Sequence, residues 1–495
     1  MAGFMIAAPR SGSGKTMVTC GILELLKRKQ KNPFSYKCGP DYIDGLFHRK
    51  VLGIEGGNLD SFFEQPQDIR EKYAAVSETH FPVVEGVMGY FDGLGGDTTA
   101  ASSWEVADIL NLPVVLVVDA KGASLSLAAL IKGFQVFQGE SQSSQANKNG
   151  NHIQAVILNR ISPMLYPRMK AVIEKKTGVL VAGYVPELDF WQVGSRHLGL
   201  VLPGEIENLQ EQMRQLGDCL EKTLDVDVLL KLGEKADIDV LGSVTVTADG
   251  SSQKCEAQKN ADLVLQNQFA GEKISHSAIP IRLGVAWDEA FCFYYRDNLE
   301  FLEKQGVQIV QFSPVHDKHL PDDLDGLLLG GGYPELYAKA LEENETIRNE
   351  IRRKAEEDMP ILAECGGYLY LLKELEDENG TGYEMAGVFS GKGYKKGKNS
   401  HFGYITVQTE KDSLYLKAGE TIKGHEFHYW ESTQDENELK MQAKKPTGKR
   451  SWPCVTVKNQ VMAGFPHLYY PSLEGFGERF VQACDRYRMK RKRQQ

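Results

Sequence analysis

Two glycine-flanked turns, far apart in the chain, most constrain what this sequence can fold into. The first is APRSGSGKT at residues 8–16, which follows an apolar run and precedes apolar residues at helical spacing. The second is ECGG at residues 364–367, which follows the apolar run at 360–363 and precedes another apolar stretch. A buried strand, a glycine turn and a helix, in this order, are typical of parallel α/β sheets. The sequence therefore predicts an α/β protein with at least two domains.

The first turn is predicted to bind the phosphates of ATP. The candidate ATP-binding residues are Ser11, Gly12, Ser13, Gly14, Lys15 and Thr16. Small residues let backbone N–H groups close around phosphate oxygens, Lys15 would neutralise the terminal phosphates, and the Thr16 hydroxyl would hold Mg²⁺. Pro9 stands where the pattern G-x-x-x-x-G-K-[ST] has its first glycine. The alternative is a chance Gly/Ser turn with a solvated lysine, and the flanking strand and helix favour nucleotide binding over it.

Acidic residues in two further segments are candidates for the same site. Asp41 and Asp44 lie in the segment KCGPDYIDGLFH, and Glu85 ends the strand predicted at residues 82–84. A carboxylate at the C-terminal end of a parallel strand faces the ligand crevice of an open α/β sheet. Mg²⁺ takes few carboxylates together with phosphate oxygens, so Asp41 and Glu85 are predicted to bind or support it. Helix capping or turn formation is the alternative, and it is strongest for Asp60 in NLDSFF.

The second turn is predicted to hold a nucleophilic cysteine. Cys365 stands between a strand and a helix, where the turn exposes sulfur and the helix N-terminus favours its thiolate. Such a thiolate can attack the side-chain amide of glutamine and release ammonia. Backbone N–H groups around Gly331 and Gly366 are the expected oxyanion donors. His467 follows a strand predicted at residues 461–462 and is the candidate base. A buried thiol and a structural histidine are the alternatives.

Together these segments resemble the cobyrinic acid a,c-diamide synthase family, which contains class I glutamine amidotransferases of the cobyrinate and cobyric acid synthase type. The shared segments are SGSGKT, GPDYID, NLD, EGVMG, GGGYPELYA, ECGGYLYL and GHEFHY. GPDYID and NLD discriminate most, since a generic P-loop protein with a glutaminase module would lack them. The resemblance implies an N-terminal P-loop domain with a doubly wound parallel sheet, similar to dethiobiotin synthetase, and a C-terminal class I glutamine amidotransferase α/β domain.

The resemblance also implies an activity in cobalamin biosynthesis. ATP with Mg²⁺ phosphorylates the a- or c-acetate of a corrinoid, cobyrinic acid, and ammonia from glutamine displaces the phosphate. Asp44 would hold substrate or stabilise the acyl phosphate, Cys365 would be the nucleophile and His467 its activator. Nickel sirohydrochlorin and hydrogenobyrinic acid remain alternative tetrapyrrole acceptors. A regulatory P-loop ATPase with an inactive glutaminase module is an alternative of a different class, which the intact cysteine turn disfavours.

Two positions depart from the family pattern. Gly45 stands where the family usually has proline, which predicts a looser turn, and Tyr469 stands where many members have a second histidine. No acid lies two residues after His467, unlike the His-x-Glu of ordinary class I amidotransferases. The sequence therefore predicts a Cys–His dyad whose imidazole is oriented by the backbone or by a group that the sequence does not identify.

The pattern of apolar and polar segments divides the chain into domains. Strands are predicted at residues 114–118, 155–158, 179–185 and 282–286. The predicted boundaries are 1–240 for the ATP-binding domain, 241–280 for a polar linker, 281–478 for the glutaminase domain and 479–495 for a helix with a basic tail. Residues 139–151 are predicted to be a disordered insertion. His197 is a candidate for substrate contact or packing, and ILNR (157–160) for adenine contact or a plain strand end.

Composition excludes several function classes. A net charge of −10 disfavours non-specific nucleic-acid binding. The eight cysteines contain no CxxC pair, which is typical of reduced thiols in the cytoplasm. No leader peptide and no membrane span are expected, because no run of 18 apolar residues occurs. The family tends to dimerise, which implies a homodimer, although no pattern in the sequence requires one.

Overall fold

The computed structural model describes residues 2–137, 152–191, 209–234, 280–397, 401–434, 441–448 and 450–494. The insertion predicted at residues 139–151, the segment with His197, and the predicted linker up to residue 279 lie outside these residues. Among the described residues, no helix combines the length and the apolar character needed to cross a bilayer.

Strands and helices alternate through the described part of the first half. The strands are β1 (Phe4–Ala7), β2 (Pro33–Cys38), β3 (Gly56–Leu59), β4 (Phe81–Glu85), β5 (Val114–Asp119), β6 (Ile153–Asn159) and β7 (Leu180–Val185). The helices are α1 (Lys15–Arg28), α2 (Ile43–Phe47), α3 (Pro66–Ser77), α4 (Ser103–Leu110), α5 (Ser126–Val136), α6 (Tyr166–Thr177), α7 (Leu209–Thr223) and α8 (Val226–Glu234). A π-helical turn (His48–Leu52) extends α2, and a 3₁₀ turn spans Leu94–Gly96.

The described strands of this half form one parallel sheet in the order β3-β2-β4-β1-β5-β6-β7. Successive residues of a central strand enter different cores: Val115 and Val117 pack in one, Val114 and Val118 in the other. A parallel sheet covered by helices on both faces requires such uninterrupted apolar strands. The predicted doubly wound parallel sheet is therefore confirmed, and the predicted strands at 114–118, 155–158 and 179–185 overlap β5, β6 and β7.

The second half contains one large sheet and two small ones. Its strands are β8 (Ile281–Ala286), β9 (Val307–Phe312), β10 (Gly326–Leu329), β11 (Ile361–Glu364), β12 (Glu374–Glu376), β13 (Gly382–Glu384), β14 (Lys392–Lys395), β15 (Phe402–Gln408), β16 (Thr421–Phe427), β17 (Trp430–Ser432), β18 (Gln442–Lys444), β19 (Ser451–Pro453), β20 (Val455–Lys458), β21 (Val461–Gly464) and β22 (His467–Leu468). Its helices are α9 (Arg296–Lys304), α10 (Ala338–Glu343), α11 (Glu345–Glu356), α12 (Gly366–Leu371) and α13 (Phe476–Gln494), with 3₁₀ turns at Pro334–Leu336 and Tyr470–Ser472.

The large sheet has the order β20-β21-β11-β10-β8-β9 and is parallel except for β20. The small sheets have the orders β13-β12-β14-β17 and β19-β18-β15-β16-β22. Strand β22 follows β21 and pairs with β16, so His467 lies opposite His425 of the GHEFHY segment. The predicted second α/β domain is confirmed.

The two halves touch through side chains near the carboxyl ends of their strands. Phe63 stacks on Tyr469 with ring centroids 4.9 Å apart. Lys72 Nζ donates a hydrogen bond to Asp297 Oδ2 at 2.6 Å, and within the second half the Tyr469 hydroxyl donates to the same oxygen at 3.0 Å. The glycine turn that follows β1 and the cysteine turn that follows β11 line one cavity between the halves.

Candidate active site

The phosphate turn adopts a backbone that only small residues tolerate. Gly12 and Gly14 have φ of +76° and +97°, in the left-handed region. A Cβ on Gly14 would lie 2.3 Å from Asn159 Nδ2, which donates a hydrogen bond of 2.8 Å to the Ser13 carbonyl. The end of β6, the ILNR segment, therefore braces this turn. The helix that follows the turn begins at Lys15.

Lys15 and Thr16 both reach the end of β4. Lys15 Nζ donates a hydrogen bond to the Met88 carbonyl, and Thr16 Oγ1 donates to Glu85 Oε1 at 2.6 Å. Burial, followed by the nearby charge of Lys37, lowers the pKa of Lys15 to about 8. An anion placed beside Lys15 would restore the charge of its ammonium group, because an opposite charge favours the ionised form.

Lys37 joins two acidic groups at the centre of this site. Its Nζ contacts Asp44 Oδ2 and lies 2.9 Å from Glu85 Oε1, and all three side chains are buried. Burial alone would lower the pKa of Lys37, but Asp44 and Glu85 raise it well above its ordinary value. Burial and the charge of Glu85 raise the pKa of Asp44 to about 6. Lys37 is not among the predicted site residues, although a lone charge in the apolar strand PFSYKC was the available signal.

The donor set at the end of β4 fits a magnesium ion. Glu85 Oε2 is buried and, among the described residues, has no hydrogen-bond partner. The Thr16 hydroxyl lies against the other oxygen of the same carboxylate. A carboxylate, a hydroxyl and phosphate oxygens are ligands that Mg²⁺ takes. Asp41 lines the cavity onto which these groups open. The metal roles of Thr16, Asp41 and Glu85 stay predictions.

The cysteine turn is held by backbone hydrogen bonds on both sides. Cys365 has φ of +49°, an unusual value for a residue with a side chain, at the junction of β11 and α12. Its N–H donates to the Gly464 carbonyl at 2.8 Å, and the Gly367 N–H donates to the Gly330 carbonyl at 2.9 Å. Burial, followed by the charge of Glu335, raises the pKa of the Cys365 thiol. In this state the sulfur therefore carries its proton.

The predicted oxyanion glycines lie against the catalytic candidates. A Cβ on Gly331 would come within 2.3 Å of His467 Cε1. A Cβ on Gly366 would lie 3.0 Å from the Gly332 backbone nitrogen. Gly331 and Gly366 therefore have no room for a side chain where residues 330–332, the cysteine turn and the His467 imidazole meet. The roles of Gly331 and Gly366 as N–H donors stay predictions.

His467 is held by aromatic neighbours and lies near one carboxyl group. Its ring stacks on His425 with a centroid distance of 4.9 Å, and the Tyr42 ring lies 5.5 Å away. Burial, followed by the charge of His428, lowers the pKa of His467 to about 3, so the imidazole is neutral. Its Nδ1 has no hydrogen-bond partner among the described residues and lies 4.0 Å from Glu364 Oε2.

Glu364 is the candidate for the group that orients His467, and the sequence offers no pattern for it. Its Oε1 accepts hydrogen bonds from the Leu468 N–H at 3.3 Å and the Tyr470 hydroxyl at 3.1 Å. Burial raises the pKa of Glu364 to about 8. The residue stands directly before Cys365, but only the pairing of β11 with β21 and the turn into β22 bring it to His467.

One cavity of about 1500 Å³ joins the two turns. Its lining includes Lys15, Asp44 and Glu85 from the first half and Cys365 and His467 from the second. Aromatic and cationic side chains line other parts of the wall, among them Trp191, Phe402, Tyr404, Phe427, Trp430, Lys121, Arg160 and Lys445, and so do acidic side chains such as Glu187 and Asp189. The sulfur and the phosphate turn therefore open onto the same cavity, which offers a released group a route from one to the other.

The fold and the site define an α/β P-loop nucleotide-binding domain followed by a glutamine amidotransferase domain. Residues 4–200 match the CobQ/CobB/MinD/ParA nucleotide binding domain, and residues 282–473 match the CobB/CobQ-like glutamine amidotransferase domain. The chain belongs to the cobyrinate a,c-diamide synthase family. It is a glutamine-dependent amidating ligase, with ATP and glutamine as substrates, which disfavours the regulatory ATPase alternative.

Three relatives illustrate the similarity, each a protein named cobyrinate a,c-diamide synthase. The chain is 36% identical to that of Caldanaerobacter subterraneus subsp. tengcongensis, over 98% of both chains. It is 37% identical to that of Streptococcus sanguinis, over 94% of this chain and 95% of the other. It is also 37% identical to that of Salmonella typhimurium, over 86% of this chain and 85% of the other.

Proposed function

We propose that this protein amidates the a- and c-acetate carboxylates of cobyrinate in cobalamin biosynthesis, using ATP and ammonia from glutamine. The observation that carries the proposal is the single cavity that contains both Lys15 and Cys365. An enzyme that makes ammonia at one centre and consumes it at another gains from such a shared cavity, because bulk water protonates and dilutes ammonia. The names of the relatives support the acceptor.

In the glutaminase half, the neutral imidazole of His467 takes the proton of Cys365 as the sulfur attacks the glutamine amide carbon. The imidazolium returns this proton to the departing nitrogen, so ammonia leaves and a thioester forms. Water then attacks the thioester, His467 acts again as base, and glutamate and the free thiol are regenerated. The protonated resting thiol makes hydrolysis slow until bound substrate changes its surroundings.

In the ligase half, the chain positions ATP and the acceptor carboxylate and neutralises their negative charge. Lys15 and the N–H groups of residues 11–16 would hold the terminal phosphates. Thr16 and Glu85 would hold Mg²⁺, which when bound neutralises negative charge on phosphate oxygens. Asp44, fixed by Lys37, lines the cavity and would orient the acceptor or the acyl phosphate. Positioning and neutralisation suffice for phosphoryl transfer.

The cavity wall suits a large, flat, polyanionic acceptor. Lys121, Arg160 and Lys445 supply cations for carboxylates, and the aromatic rings supply surface for a tetrapyrrole face. A cobalt corrinoid fits this description, and so do hydrogenobyrinic acid and a nickel sirohydrochlorin. The names of the relatives favour the corrinoid. A cytoplasmic location and a homodimer are part of the proposal and are tested by fractionation and by light scattering of the purified protein.

The test is an incubation of the purified chain with ATP, Mg²⁺, glutamine and each of these tetrapyrrole acids, followed by mass spectrometry of the products. Two successive replacements of OH by NH₂ are expected with cobyrinate. Cys365→Ser should abolish synthesis from glutamine and leave synthesis from ammonium salt, because only ammonia release is lost. No amide product from any acceptor, or equal loss with both nitrogen sources, contradicts the proposal.

A further inference from the structure

The GHEFHY segment contains two polar side chains that the proposed reaction does not use. Glu426 and His428 follow His425 on β16 and the turn after it, and both are buried. His401, just before β15, lies beside them. The three side chains, called here the His–Glu–His cluster, offer ligand atoms that all lie within 4.8 Å of one another.

The hydrogen bonds of His428 fix which ring nitrogen faces the cluster. Its Nδ1 lies 2.6 Å from the Trp430 carbonyl, which can only accept, so Nδ1 carries a proton. The Nε2 atom is buried, 3.7 Å from Glu426 Oε2, and has no hydrogen-bond partner among the described residues. That separation is too long for a hydrogen bond. An N–H to carbonyl bond on one nitrogen and a free lone pair on the other is the arrangement found in metal-binding histidines.

Trp452 contacts both other members of the cluster, Glu426 and His401. Trp452 Nε1 donates to Glu426 Oε2 at 3.0 Å, and the Trp452 ring stacks on His401 with centroids 4.3 Å apart. A separate cavity of about 240 Å³ opens between these side chains. Ligand atoms around a tetrahedral Zn²⁺ lie about 3.3 Å apart. Rotation of the half-buried His401 side chain would bring its ring nitrogen to this distance from the Glu426 and His428 ligand atoms.

We propose that His401, Glu426 and His428 bind a divalent first-row transition ion, with Zn²⁺ the best match. Two imidazole nitrogens and one carboxylate oxygen are ligands that Zn²⁺ takes, with solvent in the fourth position. The ion would cross-link the start of β15 to the end of β16. The His428 ring stacks on Phe465, 3.9 Å away, so the ion would also stiffen the turn that carries His467.

The alternative without metal is an ion pair between a protonated His428 and the Glu426 carboxylate. The test uses the full-length chain, stripped with a chelator and re-equilibrated with Zn²⁺ or Co²⁺. The expected result is one Zn²⁺ per chain by elemental analysis and, for Co²⁺, visible absorption typical of a tetrahedral site that Zn²⁺ abolishes. Both measurements on the wild type are independent of any variant.

Variants then assign the ligands. Glu426→Gln and His428→Gln should weaken Zn²⁺ binding by about 100-fold or more, because each removes a ligand. His316→Gln is the matched control, since His316 forms an exposed pair with Glu289 at 2.7 Å and should bind Zn²⁺ as the wild type does. Absence of stoichiometric Zn²⁺ and of a Co²⁺ spectrum in the wild type overturns the proposal. Unchanged affinity in folded variants, as judged by circular dichroism, overturns it as well.

Discussion

The phosphate turn and the cysteine turn share a strand–turn–helix plan but differ in their electrostatic state. Around the phosphate turn, buried charges neutralise one another: Lys37 lies between Asp44 and Glu85. Around the cysteine turn, burial raises the pKa of Cys365 and of Glu364 and lowers that of His467. The first site is therefore built charged, and the second is kept neutral.

This difference matches what each site must hold. Phosphates are permanently anionic, so a site that binds them gains from fixed cations and N–H groups that need no rearrangement. Glutamine is neutral, and a permanent thiolate would hydrolyse it when no acceptor is present. A neutral thiol beside a neutral imidazole delays the reaction until substrate and interface create the charged pair.

The largest effect is expected for Lys15→Ala. Loss of the cation at the phosphate turn should lower amide synthesis about 10³-fold with glutamine and with ammonium salt alike. Lys29→Ala is the control, because Lys29 is exposed at the end of the same helix and pairs with the exposed Asp227. Steady-state product formation measures both. Normal synthesis by Lys15→Ala would mean that the charged turn is not the phosphate site.

Glu85→Gln is expected to have the next largest effect. The amide keeps the shape but loses the charge that faces Thr16 and Lys37, so synthesis should fall about 100-fold and need more Mg²⁺. Asp41→Asn, measured alongside, shows which of the two predicted metal carboxylates sets the Mg²⁺ requirement. Glu55→Gln, at an exposed position, serves as the control. Titration of the rate with Mg²⁺ measures the effect. An unchanged Mg²⁺ requirement would remove Glu85 from the metal site.

Glu364→Gln tests the neutral state of the cysteine side. Above about pH 8 the wild-type carboxyl ionises 4.0 Å from His467 and should make the imidazole a stronger base. Glutamine hydrolysis by the wild type should therefore rise through pH 8 and exceed that of the variant by several-fold, about tenfold at most. At pH 6.5 the two should agree. Identical pH profiles would exclude Glu364 as the orienting group.

The same variant changes how stability depends on pH. The folded wild type keeps the Glu364 proton to about pH 8, whereas the ordinary carboxyl value is 4.5. The folded state therefore binds more protons between these values, and the free energy of unfolding falls as pH rises through them. Glutamine has no proton to lose, so denaturant titrations of the variant should show a smaller fall. Amide synthesis from ammonium salt does not use the cysteine side, so it serves as the control and should be the same in Glu364→Gln and in the wild type.

The smallest effect is expected for Tyr469→Phe, which removes a hydrogen bond that positions Asp297 for its ion pair with Lys72 of the other half. The ring would still stack on Phe63, but the bond to Asp297 would be lost, at a cost of about 1 kcal/mol. More glutamine should be hydrolysed per amide formed, because the two centres are less firmly joined. Tyr383→Phe is the control, since its hydroxyl contacts Asp377 within one half. Equal glutamine use by both variants contradicts the coupling.

The sequence predicts what local patterns encode. The doubly wound sheet follows from fully apolar strands such as β5, and the turns follow from glycines beside Lys15 and Cys365. Asp60 illustrates a mixed outcome: its Oδ1 accepts from the N–H groups of Phe62 and Phe63, as a turn former does. Its Oδ2 accepts from the Tyr404 hydroxyl of the other half at 2.9 Å, which no local pattern predicts.

Contacts between distant segments account for the residues that the sequence does not reveal. Lys37 becomes part of the phosphate site only because β2 pairs with β4, which carries Glu85. Glu364 meets His467 only because the chain turns from β21 into β22. Each is a single charged residue in an apolar strand, and such a residue indicates a special environment without naming its partner.

The GPDYID segment has a further consequence. Tyr42 lies 5.5 Å from the His467 ring, and two positions later Asp44 contacts Lys37. Three consecutive residues therefore reach both reaction centres. Because close-packed interiors transmit strain, a substitution that moves the backbone here is expected to alter ammonia release and phosphoryl transfer together.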